Sequence, residues 1–549
     1  MRVILLSLLA GIALAGPQHV FSPNGCPMES GEETHRVAIV GGGPSGASAA
    51  YFFGTANAQL GSLPTNPTCP GTTRRINTTL FERSHIGGRV EAIYPLDDPG
   101  LERIEIGAGL IYDVDRKLLG ALKTFKLPWA SDQTRLAQHV GIWDGTQFVI
   151  ENDGTTWSQT KLLWRYGRSP AILLKMMRDT AKSFAQLYSP QFLHHRPSRG
   201  GDSRLPAPMS GYPWASVANL ARAVLPSALL THPAHQHIEK QGVSALFMNE
   251  MGAAAVRANY LQDVAHVNAF AGLYAFEAGE SRHVSNGNQL LFENMVNASG
   301  ADIHMGVSGT VTGIMRMYDG SWWVGTADGR GAAYDSVVVA APWENSGIAL
   351  LNTDKIIHLT PYRRVHVTVV ATSAARPRAS FFGQKRSDES MPQTVLTTPA
   401  ASSAASNATQ TPLISLSYVR EISPQQHQKE WGTVYIVRIL SEDALDDRTL
   451  SALFGEGTVV WTRRKEWAAF PDMSHTAPLR SFEVDTGLYH ISAIEQLIST
   501  METSVIGAKN VAALILRRWL GDVFLNGENC HWGTPTLSAD WSGWGCHSS

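Results

Sequence analysis

Three glycines, Gly41, Gly43 and Gly46, follow the β-branched run Arg36-Val37-Ala38-Ile39-Val40 and lead into a small-residue stretch, Ala47 to Phe53. In a G-x-G-x-x-G arrangement the first glycine permits a tight turn, the second lets backbone amides approach a pyrophosphate, and the third brings helix and strand together. Pro44 and Ser45 complete the turn, where the positive end of a helix stabilises phosphate charge. A second extended run, Asn77 to Glu82, ends in a carboxylate suited to accept hydrogen bonds from ribose hydroxyls. Glu82 lies further downstream than the usual spacing of about 20 residues. The intervening stretch Gly54 to Arg75, rich in Pro, Gly, Thr and Asn, reads as an inserted loop.

The residues after Glu82 separate a flavin from a nicotinamide site. Arg83 and the turn Gly87-Gly88-Arg89 continue the cradle as flavoproteins of the amine-oxidase type do. A second small-residue cluster, Gly107-Ala108-Gly109, follows an extended segment and suits close approach of backbone to a flat ring. The expected cofactor is therefore FAD, held without a covalent bond.

A chain of 549 residues is too long for one compact core, so two or more units around a shared cleft are expected. The formal net charge of −2 argues against electrostatic binding of nucleic acid. Residues 1–16 combine Arg2, a short apolar run and a small-residue exit, the pattern of a secretory signal peptide. No later stretch reads as a membrane span. Asn77, Asn297 and Asn407 each open an N-x-S/T acceptor tripeptide. Cys26, Cys69, Cys530 and Cys546 permit three pairings; because Cys26 and Cys69 precede two stretches read as adjacent parallel strands, Cys26–Cys69 with Cys530–Cys546 is preferred. His232, His235 and His237 sit in a Pro-containing connection without a nearby acid or cysteine, which reads as a solvated loop. Ala400 to Thr409 reads as a flexible insertion.

Further segments carry a family resemblance: Lys161-Leu162-Leu163-Trp164-Arg165-Tyr166-Gly167, Asn249-Glu250-Met251, Arg257-Ala258-Asn259-Tyr260, Val267 to Phe270, Thr394 to Thr398 and Trp467 to Pro471. Together with the glycine fingerprint they make the chain resemble the prenylcysteine oxidases, also called prenylcysteine lyases. The resemblance implies an α/β fold, a GR2-type Rossmann-like FAD-binding domain with an inserted mixed α+β substrate domain in an amine-oxidase-like architecture. It places the FAD domain in residues 36–115, 285–345 and 480–520, the substrate domain in 116–284 and 346–479, and leaves 521–549 as a Trp- and Cys-containing tail. It also assigns FAD contacts to Val311, Met501 and Glu502.

The activity it implies is oxidation of the thioether carbon of farnesyl- or geranylgeranyl-cysteine, with O2 and water giving cysteine, a prenyl aldehyde and H2O2. No catalytic acid or base is assigned. Arg165, Arg257, Asn259 and Tyr260 are the candidate anchors for the amino-acid end, and His266 and His283 the candidate proton shuttles. The implied setting is the secretory pathway, ending in a lysosome or vacuole or outside the cell. Two alternatives share the FAD motifs or the fold: a secreted flavin oxidase acting on another apolar substrate, and a non-enzymatic prenyl-binding protein of the GDI type.

Overall fold

The computed structural model describes residues 32–60, 73–131, 139–193, 211–276, 281–400, 412–427, 431–521, 524–525, 541–542 and 544. The signal segment, all four cysteines and Asn407 lie outside the described residues, as does nearly all of the Ala/Ser/Thr-rich insertion.

Strand β1 (Glu32–Val40), helix α1 (Pro44–Leu60) and strand β2 (Thr73–Glu82) form a β-α-β unit in a six-stranded sheet. Its spatial order is Asp302–Met305, β2, β1, Ser336–Val339, Leu488–His490 and Glu483–Asp485, all parallel except the last pair. The period-2 geometry of β1 explains its uninterrupted apolar run. Val37 and Ile39 face a core shared with α1 and the C-terminal helix Met501–Leu520. Ala38 and Val40 face the opposite core, under a four-stranded sheet that contains Val311–Arg316 and Trp322–Thr326.

A second, seven-stranded sheet runs in the order Val459–Pro471, Tyr362–Thr372, Val434–Ser441, Leu413–Ile422, Thr394–Thr397, Val140–Trp143 and Phe148–Asn152. Val365, Val367 and Ile436 pack on one face, together with Ile104 and Ile106. Val370, Val437 and Ile439 pack on the other. Helices α2 (Arg116–Thr124), α3 (Thr156–Tyr166) and α4 (Ser169–Phe184), with shorter helices between residues 217 and 274, join these sheets. No helix among the described residues is long and apolar enough to cross a membrane.

Two local expectations are corrected. The stretch from Gly54 is not a loop at its start, because α1 continues through it to Leu60. A Cβ at Gly54 would lie 2.4 Å from the Ser299 carbonyl oxygen, so this glycine marks a close helix contact and not a break. The histidine-containing connection is likewise helical over Ala234–Lys240, where Ala234 packs against Gly272.

The C-terminal tail also has a defined place. Trp541 stacks on Tyr51 of α1 at 5.2 Å and 3°, and its indole donates to Thr124 Oγ1 at 2.8 Å. Its carbonyl accepts from the buried Lys117 and Lys509 ammonium groups, at 3.1 and 3.4 Å. Trp544 donates to the Phe52 carbonyl at 3.0 Å. Trp541 and Trp544 thus pack on α1, the helix that opens at the glycine turn. Trp541→Ala should lower stability by about 3 kcal/mol or more, as large-to-small changes at buried aromatics do, measured by thermal unfolding. An unchanged melting temperature would show that the tail does not pack there.

Candidate functional site

A cavity of about 690 Å³ lies between the parallel sheet and the seven-stranded sheet. One end is built almost entirely from backbone. The Gly41 amide donates to the Phe81 carbonyl at 2.8 Å, and Gly41 has φ +107°, which turns the chain out of β1. A Cβ at Gly46 would sit 1.8 Å from the Gly41 carbonyl oxygen, so only glycine lets α1 start this close to the strand. Gly43 differs: a Cβ there would find only the Gly87 and Gly88 backbone, at 3.9 Å. Gly41, Gly43, Pro44 and Ser45 all line the cavity, while Gly46 lies one turn behind them.

Glu82 closes β2 beside this turn. Its carboxylate accepts from the Gly42 amide at 2.6 Å and the Ser84 amide at 2.7 Å, and the side chain lines the cavity although the residue is buried. Each carboxylate oxygen retains a lone pair for a hydroxyl. Arg83 lines the wall and donates to the Asn345 carbonyl at 3.2 Å. The Gly87 amide donates to the Gly42 carbonyl at 2.9 Å, which lays the turn containing Gly88 over the first glycine loop.

Arg89 Nη2 donates to both carboxylate oxygens of Glu495, at 2.7 and 2.8 Å, and Nη1 donates to the Ala469 carbonyl at 2.7 Å. One side chain thereby joins three distant segments at the cavity wall. Gly107, Ala108 and Gly109 also line it, and the Ala108 amide donates to the Arg89 carbonyl at 3.0 Å. A Cβ at Gly107 would stand 2.0 Å from that same carbonyl. Val311 and Met501 line the cavity as well, and Thr500 caps the helix that begins at Met501. A second helix N-terminus therefore reaches the cavity.

The Glu502 side chain turns away from the cavity. It is buried away from the cavity, where it accepts from the Lys117 and Leu118 amides at 2.9 Å and from the Tyr188 hydroxyl at 2.7 Å. Its role is to cap the N-terminus of α2 from another helix. Burial raises its carboxyl pKa, against the opposing pull of these donors and of Lys117.

The four candidate anchors divide. Asn259 and Tyr260 line the cavity. The Asn259 carboxamide donates to the Ala255 and Ala275 carbonyls, and Tyr260 meets Phe470 edge-on at 5.6 Å. Arg165 and Arg257 are not on its wall. Arg165 is taken up by Glu250 on the protein surface. Arg257 is buried and pairs with Glu442 and Thr397. His266 pairs with Asp472, and His283 lies in the strand Ser281–Val284; neither lines the cavity.

Other wall residues escaped the sequence reading. Asp115 and Tyr274 line the cavity and share a hydrogen bond of 2.9 Å, with burial first and then Asp115 holding the phenol well above its ordinary pKa. Lys465 pairs with Glu91 at 3.0 Å and lies over Trp467. Val365, Val367, Leu440 and Phe470 form an apolar wall. The V-x-V alternation within Tyr362–Thr372 was a usable signal for that wall. Asp115 carries none beyond an acid ahead of a helix.

These features fit FAD. Two helix N-termini and bare glycine backbone suit the pyrophosphate and ring edges, Glu82 suits the adenosine ribose, and the long cavity leaves space beyond the cradle. Fold and site define an FAD-dependent oxidoreductase of amine-oxidase architecture. An engineered putrescine oxidase superposes with a TM-score of 0.51 at 13% identity, over 89% of this chain and all of the other. A second putrescine oxidase variant gives 0.50 at 14% identity, again over 89% and 100%.

The family model for prenylcysteine lyase matches residues 149–526, and the chain belongs to that family. Prenylcysteine oxidase 1 of Homo sapiens is 26% identical over 522 residues, covering 90% of this chain and 92% of its own. Farnesylcysteine lyase of Arabidopsis thaliana is 24% identical over 505 residues, covering 88% of each.

The two roles of glycine at this turn are separable by mutation. Gly43→Val should leave a folded protein that has lost its flavin, because the new methyl groups enter cavity space. Gly46→Ala should instead cost about 3 kcal/mol or more through overpacking against Gly41. Flavin absorbance and thermal unfolding of both variants check this; full flavin in Gly43→Val would contradict the pyrophosphate placement.

Proposed function

We propose that this protein is an FAD-dependent oxidase that cleaves the thioether of a prenylcysteine. The observation that carries the reading is the continuity of one cavity, from the glycine cradle to the apolar wall of Val365, Val367, Leu440 and Phe470, in a member of the prenylcysteine lyase family. The chemistry that FAD supplies when bound is acceptance of a hydride and return of the electrons to O2 as H2O2. The substrate carbon that loses hydride is both allylic and bonded to sulfur, so sulfur and the double bond share the positive charge. Water adds to that carbon, and the hemithioacetal collapses to cysteine and a prenyl aldehyde.

The residues of this chain bind, orient and exclude solvent. The apolar wall holds the isoprenoid, each buried methylene contributing about 0.8 kcal/mol. Asn259, Tyr260 and the Asp115–Tyr274 pair supply polar groups for the amino-acid end. The carboxylate of Asp115 matches an α-ammonium group in charge.

The same proposal includes the setting. The segment 1–16 is a cleaved secretory signal, the four cysteines form two disulfides, and Asn77, Asn297 and Asn407 carry glycans. Asn77 and Asn297 support this by being exposed. The final location is a lysosome or vacuole or the extracellular space.

Anaerobic mixing of the purified holoenzyme with farnesylcysteine should bleach the flavin absorbance, and admitting air should restore it with release of prenyl aldehyde. Bleaching by an amine but not by farnesylcysteine would refute the substrate assignment.

A further inference from the structure

The segment Lys161 to Gly167 has no part in the cavity, although its residue types are unusual for a surface. In α3, Trp157 is 67% exposed, Leu163 63% and Trp164 87%. Trp157, Lys161 and Trp164 follow the i, i+4, i+7 spacing of one helix face, and the Lys161 ammonium lies 5.5 Å from the centre of the Trp157 ring. The adjoining α4 exposes Pro170, Ala171 and Leu174 beside Lys175, Arg178 and Lys182. The opposite side of this helical pair is anchored: Tyr166, Leu173 and Phe184 are buried in the core, and Glu250 takes up both Arg165 and the Tyr166 hydroxyl. Helices α3 and α4, joined through Gly167 and Arg168, thus expose two indoles and two leucines. Single exposed apolar residues are ordinary, but a group of them on adjoining helices marks an interaction surface.

Charge identifies the partner's chemistry. Residues 156–184 hold six cations, Lys161, Arg165, Arg168, Lys175, Arg178 and Lys182, against one carboxylate, Asp179. Glu250 takes up Arg165 and Asp179 pairs with Lys175, so Lys161, Arg168, Arg178 and Lys182 supply the free cationic character of this face, on a chain whose formal net charge is −2. Tryptophans and leucines interleaved with long cationic side chains match a lipid interface, where indoles sit among headgroups and lysines reach lipid phosphates. An acidic protein would meet the cations but offers no comparable medium for the bare indoles.

A second cavity adds direction to this surface. It has a volume of about 300 Å³ and lies under α4, with Met177, Ala181 and Phe184 on one side and Phe270 and Tyr274 on another. Tyr274 is also a wall of the larger cavity. The two cavities thus meet at the Tyr274 side, and the smaller one is also lined by Asp113, Arg116 and Lys182.

We propose that the consecutive helices α3 and α4 dock this protein on anionic phospholipid bilayers, with Trp157, Leu163, Trp164 and Leu174 in the interface and the surrounding cations on the headgroups. This docking stands apart from the identity of the oxidised substrate. The protein rests on the membrane by this face and does not cross it through these helices.

Sedimentation of the purified full-length holoenzyme with vesicles tests the proposal. The protein should bind vesicles of phosphatidylcholine containing phosphatidylserine, bind phosphatidylcholine alone more weakly, and be released by salt. Trp157→Ser with Trp164→Ser should reduce the bound fraction by about tenfold or more. Lys161→Gln with Arg168→Gln and Arg178→Gln should abolish the preference for phosphatidylserine. All these positions are exposed, so the variants should retain wild-type melting and flavin absorbance, which checks their folding. The proposal is overturned if the wild type does not sediment with the anionic vesicles, or if both variants bind as it does. It is also overturned if analytical ultracentrifugation shows a dimer that Trp164→Ser dissolves, since a second copy would then cover the face.

Discussion

The structure depends on backbone approaching backbone more closely than any side chain permits. At Gly46 the first turn of α1 lies against the Gly41 carbonyl, and at Gly107 the chain lies against the Arg89 carbonyl. The first contact starts α1 close behind the glycine turn and the second brings Gly107 onto the cavity wall, so amides and carbonyls line one end of the cavity. A pyrophosphate needs such a surface, because each donor must come within hydrogen-bond distance of an oxygen that water would otherwise solvate. Burial of β1 on both faces keeps the turn in place, since neither sheet nor helix can shift without opening a core.

A second constraint joins the cradle to the rest of the chamber. Arg89 leaves the glycine turn, pairs with Glu495 and reaches the end of the strand Val459–Pro471 through Ala469. Glu495 also accepts from Tyr362 and Ser499. The Glu495 side chain is 2% exposed, so loss of Arg89 would leave a carboxylate out of water, a situation that costs about 3–5 kcal/mol when a buried pair is broken. The pair holds the apolar sheet at a set distance from the nucleotide end. The geometry thus separates two tasks, charge and hydrogen bonding at one end and shape with exclusion of water at the other.

The nucleotide half of the site was legible in the sequence because its requirements are local. Strand, glycine turn, helix and Glu82 are set by residues near each other along the chain, and all of them stand where their types demand. Gly107 to Gly109 were legible as a second small-residue cluster, Val311 was reached by resemblance to a family, and all of them line the cavity. The errors have a common physical origin in tertiary partners. Gly54 was read as a break because its contact with Ser299 lies about 245 residues away. Arg165 and Arg257 lie in family-like motifs, but Glu250 and Glu442 hold them elsewhere. Asp115 and Tyr274 meet across 159 residues, and no spacing rule reports such a pair. The tail's hold on Tyr51 and Thr124 was hidden for the same reason.

The claim on which the rest stands is that the glycine-lined end holds FAD without a covalent bond. Denaturing the purified protein and identifying the released chromophore tests it most directly. One FAD per chain, recovered in solution after the protein is precipitated, is the expected result. A colourless protein, release of FMN, or colour that stays with the precipitated chain would contradict it.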